Sequence, residues 1–202
     1  MPPHSEREAL TDLPLRVALI TGSTREGRFG PVIARWFASQ AAGRPDIALD
    51  DIDLAEVNLP AAYTRRHSPE VGAYIERIAL ADGYVVVTPE YNHGYPAALK
   101  QAIDLPHEEW KAKPLAFVSY GGLSGGLRAV EQLRQVFAEL HVVTLRDTVS
   151  FHNAHGLFDE AGRPRQPDGC NAAAAVVLDQ LAWWARALRA ARLADRAAAE
   201  AA

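Results

Sequence analysis

The chain has 202 residues, 49% hydrophobic and 23% charged, with a formal net charge of -4 and an isoelectric point of about 6.0. That is the composition of one globular domain, two at most, with enough apolar material for a sizeable core and no long disordered stretch. No global basic field favours nucleic acid or an acidic membrane; one cysteine excludes a disulfide framework or a Cys-rich metal site; no apolar run approaches the roughly 18–20 residues that span a bilayer.

Residues 1–14 are polar, carry Glu6, Glu8 and Asp12, and lack the apolar core of a secretory signal. They read as a flexible arm, and a reducing cytoplasm as the compartment. Residues 17–20 form a continuous apolar run, as expected of a parallel strand buried on both faces. A Gly/Ser/Arg-rich turn follows. Pro31 suits a first helical residue, and Val32, Ile33, Trp36 and Phe37 give that helix an apolar stripe, stopped by Gly43-Arg44-Pro45. Ile47, Leu49, Ile52 and Leu54 mark a weaker second strand nearer an edge, with Asp50 and Asp51 read as turn residues at its end.

Residues 55–70 read as a loop and 71–80 as a short helix. Residues 84–88 are the clearest buried strand; a helix is expected from about 96 to 104 and another strand over 115–119. Leu127, Val130, Leu133, Phe137 and Leu140 mark the next helix, and residues 142–151 supply the last strand. The terminal helix places Val177, Leu181, Trp184 and Leu188 on one face, with Trp183 and Trp184 expected to pack. Residues 191–202 form an Ala-rich tail with helical composition.

Five strands alternating with helices describe an α/β three-layer sandwich. They fit the flavodoxin-like parallel order 2-1-3-4-5, with helices on both faces; the Rossmann order wants a sixth strand. Ligands of such sheets sit beyond the carboxyl ends of the strands, where the order reverses, here between strands one and three. The loops after those strands are the two most unusual stretches in the chain. Residues 22–30 offer glycines, hydroxyls, two guanidiniums and a helix N-terminus, the parts of a phosphate cradle. They match neither a Walker A loop nor G-x-G-x-x-G, so a terminal monophosphate suits them better than a pyrophosphate. A Gly-rich turn with solvent-facing arginines is the competing reading. Residues 89–96 are rich in planar and hydrogen-bonding groups suited to a heteroaromatic edge, or else form a connection stiffened by Pro89 and Pro96. The third loop, 120–126, has four glycines, which let a flat ligand touch backbone or simply loosen a helix entry.

A phosphate at one end and a planar ring at the other is the shape of FMN. The segments G-S-T-R-E-G-R-F-G, P-E-Y-N-H-G-Y-P-A-A-L-K-Q-A-I-D and K-P-L-A-F-V-S-Y-G-G-L-S-G-G-L-R-A resemble the NADPH-dependent FMN reductase family, which includes azo, quinone and chromate reductases. The resemblance runs from about residue 15 to 151 and implies a flavodoxin-like FMN-binding domain over 15–190. It implies Ser23, Thr24, Arg25, Arg28, Phe29 and Gly30 around the FMN phosphate. Pro89, Glu90, Tyr91 and Asn92 would lie by the ribityl chain and ring, and Ser119, Tyr120, Gly121 and Gly122 on the ring's other side. The family's first loop commonly reads G-S-x-R-x-x-S; here Arg28 stands at the last position, exchanging a hydroxyl for a guanidinium.

The implied chemistry is hydride transfer from NADPH or NADH to flavin N5, then two-electron reduction of a small acceptor: a quinone, an azo compound, a metal oxyanion or free flavin. The cofactor carries that chemistry, so no catalytic side chain is assigned. A homodimer or homotetramer is implied as well. A non-catalytic flavodoxin-type electron carrier and a flavin-free α/β domain remain the alternatives. His152 and His155 have the spacing of a ligand pair but lack an evident third ligand, so no metal is assigned. His93 is read as a turn residue within reach of substrate, and Cys170, just before a helix, as inert.

Overall fold

The computed structural model describes residues 13–60, 62 and 66–201. The expected arm lies outside these residues except for Leu13 and Pro14, as does Ala202 of the expected tail. Strand β1 (Leu15–Thr21) is buried at every position but Arg16, the signature of a strand covered on both faces. Helix α1 (Gly30–Ala41) starts with Pro31 and buries Ile33, Ala34, Trp36 and Phe37. Strand β2 (Ile47–Asp53) lies at the sheet edge, half exposed. The Ser68 hydroxyl accepts from Val71 N–H and starts α2 (Pro69–Leu80).

All seven residues of β3 (Gly83–Pro89) are buried. Helix α3 (Ala97–Asp104) is followed by a single 3-10 turn (Glu108–Trp110), then β4 (Pro114–Gly121), α4 (Leu127–Glu139), β5 (Val143–His152), the one-turn α5 (Ala154–Leu157) and α6 (Pro167–Glu200). The five strands form one parallel sheet in the order β2-β1-β3-β4-β5, the flavodoxin-like order expected from the sequence. Alternate residues of each inner strand feed two cores. Leu19, Val85 and Val118 meet α1 and α6 on one face; Ile20, Val86 and Phe117 meet α2, α3 and α4 on the other.

Two expectations are corrected. Asp50 and Asp51 do not end the second strand; pairing with β1 continues to Thr21 opposite Asp53. An edge strand tolerates these charges because one flank meets solvent, and Arg77 of α2 holds the Asp50 carboxylate at 2.5 Å. The buried stripe of α6 is Ala174, Val177, Leu178, Leu181, Ala182 and Ala185, so Trp184 lies off it, and Trp183 is 63% exposed. Small alanines let this helix approach the sheet closely and turn both indoles outward, where they pack edge-on against each other at 5.0 Å. Trp110, in a stretch without periodicity, is fully buried. Its ring meets Tyr84 and Phe137 edge-on, and its N–H donates to Ile103 O at 3.0 Å.

Trp110→Ala removes the largest fully buried side chain and leaves the Ile103 carbonyl unmatched. The expected cost is about 3–5 kcal/mol, read from urea unfolding at constant m-value.

Candidate functional site

The connections after β1 and β3 leave the sheet on opposite faces, so the carboxyl ends of these neighbours open into a gap. The backbones lock first: Gly22 N–H donates to Val87 O at 2.8 Å, continuing the ladder one residue past β1. A Cβ on Gly22 would meet Leu99 at 3.0 Å, so only glycine passes freely here.

From Ser23 onward the loop divides into buried and exposed halves. Ser23 is fully buried; its Oγ accepts from the Tyr120 hydroxyl at 3.1 Å, tying the loop to β4. Burial pushes the Tyr120 phenol up to about 12, so it stays a donor. Gly30 sits beneath this pair, where a Cβ would lie 2.5 Å from Ser23 Oγ and 3.0 Å from Tyr120 OH. Phe29 packs its ring against His155, Phe158 and Tyr120. Thr24, Arg25, Glu26 and Gly27 are exposed, and among the described residues their N–H groups donate to no protein acceptor.

The two arginines do different things. Arg28 makes a two-pronged pair with Asp53 at 2.6 and 2.7 Å and donates to Ser23 O at 2.9 Å. The Asp53 hydrogen bond raises its already high pKa against the cost of burial. It is therefore a strut from the loop to the end of β2. Arg25 has no carboxylate partner among the described residues; its guanidinium lies 3.5 Å from the centre of the Tyr91 ring. The loops after β1 and β3 thus meet in one cleft.

Beyond Pro89, the last residue of β3, Tyr91 and Gly94 exchange backbone hydrogen bonds around a two-residue turn. Asn92 and His93 take left-handed φ values of 50° and 72°, a conformation that asparagine adopts readily. Gln132 of α4 donates to His93 O at 2.8 Å, holding the turn from behind.

Glu90 joins the second loop to the third. Its carboxylate, 8% exposed, accepts from Arg128 N–H and from the Arg128 guanidinium, both at 3.1 Å, at the start of α4. Helix α4 has no side-chain cap of its own because Gly126 stands at that position with φ 86°; Glu90 supplies one from the loop after β3. Burial pushes the Glu90 carboxyl up, but Ser124 and Arg128 outweigh it and the net shift is downward. The third loop is ordered rather than loose. Ser119 and Ser150 both donate to Gly125 O at 2.8 Å, His152 pairs with Leu123 O at 2.9 Å, and Asn153 N–H donates to Gly122 O at 3.0 Å. Ser119 is thus buried as a loop anchor; Gly121 packs against the Gly126 backbone, where a Cβ would lie 3.2 Å from its nitrogen, while Gly122 faces open space.

Asp53, Ser124, Arg128, Gln132 and Ser150 were not singled out in the sequence. Arg128 lies within the G-G-L-R-A string and follows a glycine pair at a helix start; the others have no local signal. His152 and His155 are turned to Leu123 O and Phe29, and among the described residues no group of three His, Cys, Asp or Glu side chains is placed to hold a metal. Burial raises the Cys170 thiol. The cleft offers exposed amide donors, the Thr24 hydroxyl and an unneutralised guanidinium at one end, and a planar turn with bare glycine backbone at the other. That donor set fits FMN.

The comparisons with known proteins agree with this geometry. Residues 15–156 match the family described as NADPH-dependent FMN reductase. The chain is 38% identical over 141 residues to an NAD(P)H-dependent FMN reductase of Schizosaccharomyces pombe, covering 64% of this chain and 68% of that one. It is 35% identical over 138 residues to a quinone reductase of Escherichia coli K12, covering 65% and 73%. Among solved structures, the flavoenzyme NAD(P)H:(acceptor) oxidoreductase FerB of Paracoccus denitrificans superposes with a TM-score of 0.68 at 24% identity, covering 85% of this chain and 97% of that one, a likeness of fold.

Glu90→Gln weakens the cap on α4 by about 1–2 kcal/mol at neutral pH. Because the folded carboxyl titrates below its ordinary 4.5, the wild-type advantage is complete above that value and fades as pH falls through the folded value. Urea midpoints of both proteins across pH 3 to 7 (about four points suffice for the slope) should converge at the acid end.

Proposed function

Because the chain belongs to the NADPH-dependent FMN reductase family, we propose that the cleft between β1 and β3 holds FMN and that the protein is an NAD(P)H-dependent flavin oxidoreductase acting on a small-molecule acceptor. One observation carries the placement: Arg25, without a carboxylate to neutralise it, bridges the two loops over Tyr91. The exposed amides of residues 24–27, the Thr24 hydroxyl and Arg25 would take the phosphate. Asn92 and the backbone of Glu90 and Tyr91 would lie along the ribityl chain and ring, with Gly121 and Gly122 on the far side.

When bound, FMN supplies hydride acceptance and two-electron delivery. The chain's own part is orientation and charge. Ser23, Gly30, Phe29 and Tyr120 fix the floor of the phosphate loop, and Arg28 with Asp53 fixes its flank. Glu90, Ser119 and Ser150 fix the third loop, so amide donors are held in place before any charge develops. No general acid or base is needed for hydride transfer, and we assign none. A quinone is the acceptor class best supported, from the E. coli relative.

The domain reading is a single FMN-binding unit over 15–190. A homodimer or homotetramer draws support from Leu123, 85% exposed at the tip of the third loop beside the cleft. A cytoplasmic setting draws on the lone cysteine and on the absence, among the described residues, of a helix long and apolar enough to cross a membrane.

FMN fluorescence should be quenched on titration into the protein, and the complex should oxidise NADPH or NADH when a quinone is added. Arg25→Ala should raise the FMN dissociation constant about 10–100-fold, the worth of a charge-assisted hydrogen bond, with unfolding unchanged. Arg28→Ala should lower stability by about 1–2 kcal/mol, with the smaller effect on affinity. Equal affinity losses, or no quenching by the wild type, would remove the assignment of phosphate to Arg25.

A further inference from the structure

A second concavity of about 570 Å³ lies at the opposite end of the sheet, where β1, β3 and β4 begin. Six cationic and three acidic side chains line it, in a chain whose net charge is -4. Arg189, Arg192 and Arg196 come from one face of α6, spaced three and four residues apart. Arg16 and Lys113 stand at the starts of β1 and β4.

The carboxylates do not balance this charge. Glu108 pairs with Lys111 at 2.6 Å, and Glu109 accepts from His107 N–H at 2.8 Å. Asp82 alone faces the interior. It accepts from Arg16 N–H and serves both Arg189 and Arg192, which are 11% and 18% exposed. Arg192 also donates to Ala112 O. Lys113, 5% exposed, donates to the Ile78 and Ala79 carbonyls of the last turn of α2 and lies 5.5 Å from the centre of the Tyr84 ring, with no carboxylate partner among the described residues. Arg16 and Arg196 are exposed and have no ion-pair partner among the described residues.

Among the described residues, Lys113 has no carboxylate partner and Arg192 shares Asp82 with Arg189. Burial, then the neighbouring Arg192, pushes Lys113 down to about 7, and burial lowers Arg192 too. The missing ingredient is negative charge with several acceptor oxygens. Guanidiniums meet phosphate oxygens in a two-pronged fashion, and a phosphate group offers acceptors on several sides where a carboxylate offers them on one edge. Leu13, Leu80 and Leu193 add apolar surface to the lining.

The geometry points to this pocket as a second anion site, taking a small phosphate or polyphosphate between the exposed Arg16 and Arg196 and the buried Arg192 and Lys113. It is separate from the cleft, because the seven residues of β1 put about 20 Å between the two ends of the sheet.

The test is calorimetric titration of inorganic pyrophosphate into FMN-saturated protein at low ionic strength. The expected result is one saturable site, no release of FMN, and a dissociation constant raised at least about tenfold in an Arg16→Gln, Arg196→Gln double variant. Both side chains are exposed and unpaired, so the variant should unfold at the wild-type temperature. No heat from the wild type, equal affinity in the double variant, or displacement of FMN by pyrophosphate would each overturn the proposal. Inorganic phosphate in a parallel titration separates a monophosphate from a polyphosphate site: the tighter of the two names the ligand class.

Discussion

The cleft rests on a constraint that no side chain sets. Consecutive neighbours β1 and β3 send their connections to opposite faces of the sheet: α1 packs in the layer with α6, and α3 in the layer with α2 and α4. No helix can cover the space between the two strand ends. Backbone groups in that space must find partners in each other, in side chains or in a ligand. Part of the requirement is met internally, by Gly22 N–H on Val87 O and by the turn from Tyr91 to Gly94. The part left open, the amides of residues 24–27, is what the proposed phosphate site would use.

Rigid loops around that opening follow from long-range polar contacts. Three chain-distant groups converge on the third loop: Glu90 at the start of α4, Ser150 from β5 on Gly125 O, and Asn153 on Gly122 O. A loop with four glycines has a high entropic cost of ordering. Here that cost is offset by hydrogen bonds to the carbonyls of Gly122, Leu123 and Gly125, the last receiving the hydroxyls of Ser119 and Ser150. Gly125 and Gly126 are required by shape: a Cβ would lie 2.5 Å from Ser150 Oγ and 2.8 Å from the Ser119 side chain respectively. Glycine at 121, 125 and 126 therefore serves close packing, and of the four only Gly122 faces open space.

What could be read from the sequence was what depends on one run of residues. Residues 17–20 and 84–88 are continuous apolar runs because both faces of their strands are covered, and their number and spacing imply the five-stranded order. The loops stood out by composition for the same local reason. What escaped depends on partners far along the chain. Asp53 meets Arg28 across 25 residues and Glu90 meets Arg128 across 38, and neither pairing leaves a local pattern. Trp110 sits in a polar stretch with no period to betray it. On α6 the period is present but ambiguous. Alanines occupy so many positions that large residues seem to define the buried stripe, whereas the alanines permit close contact and the indoles lie outside it.

The remaining question is why Arg25 stays without a carboxylate partner among the described residues in a chain whose carboxylates outnumber its lysines and arginines, 25 to 21. Most cations near the sheet are matched: Arg28 by Asp53, Arg77 by Asp50, Arg44 by Asp46, Arg128 by Glu90. A guanidinium without a carboxylate would ordinarily wander in solvent, and its ordering entropy would count against ligand binding. Tyr91 resolves the conflict at Arg25. An aromatic face attracts the cation and restricts it, yet adds no formal negative charge and leaves the edge N–H donors uncommitted. A carboxylate in the same place would hold Arg25 more firmly and cancel the charge an anionic tail requires. The aromatic residue therefore keeps Arg25 both ordered and positive, and it does so from the loop proposed to border the ring. Anchoring the tail and flanking the heterocycle thus become a single structural problem with a shared solution.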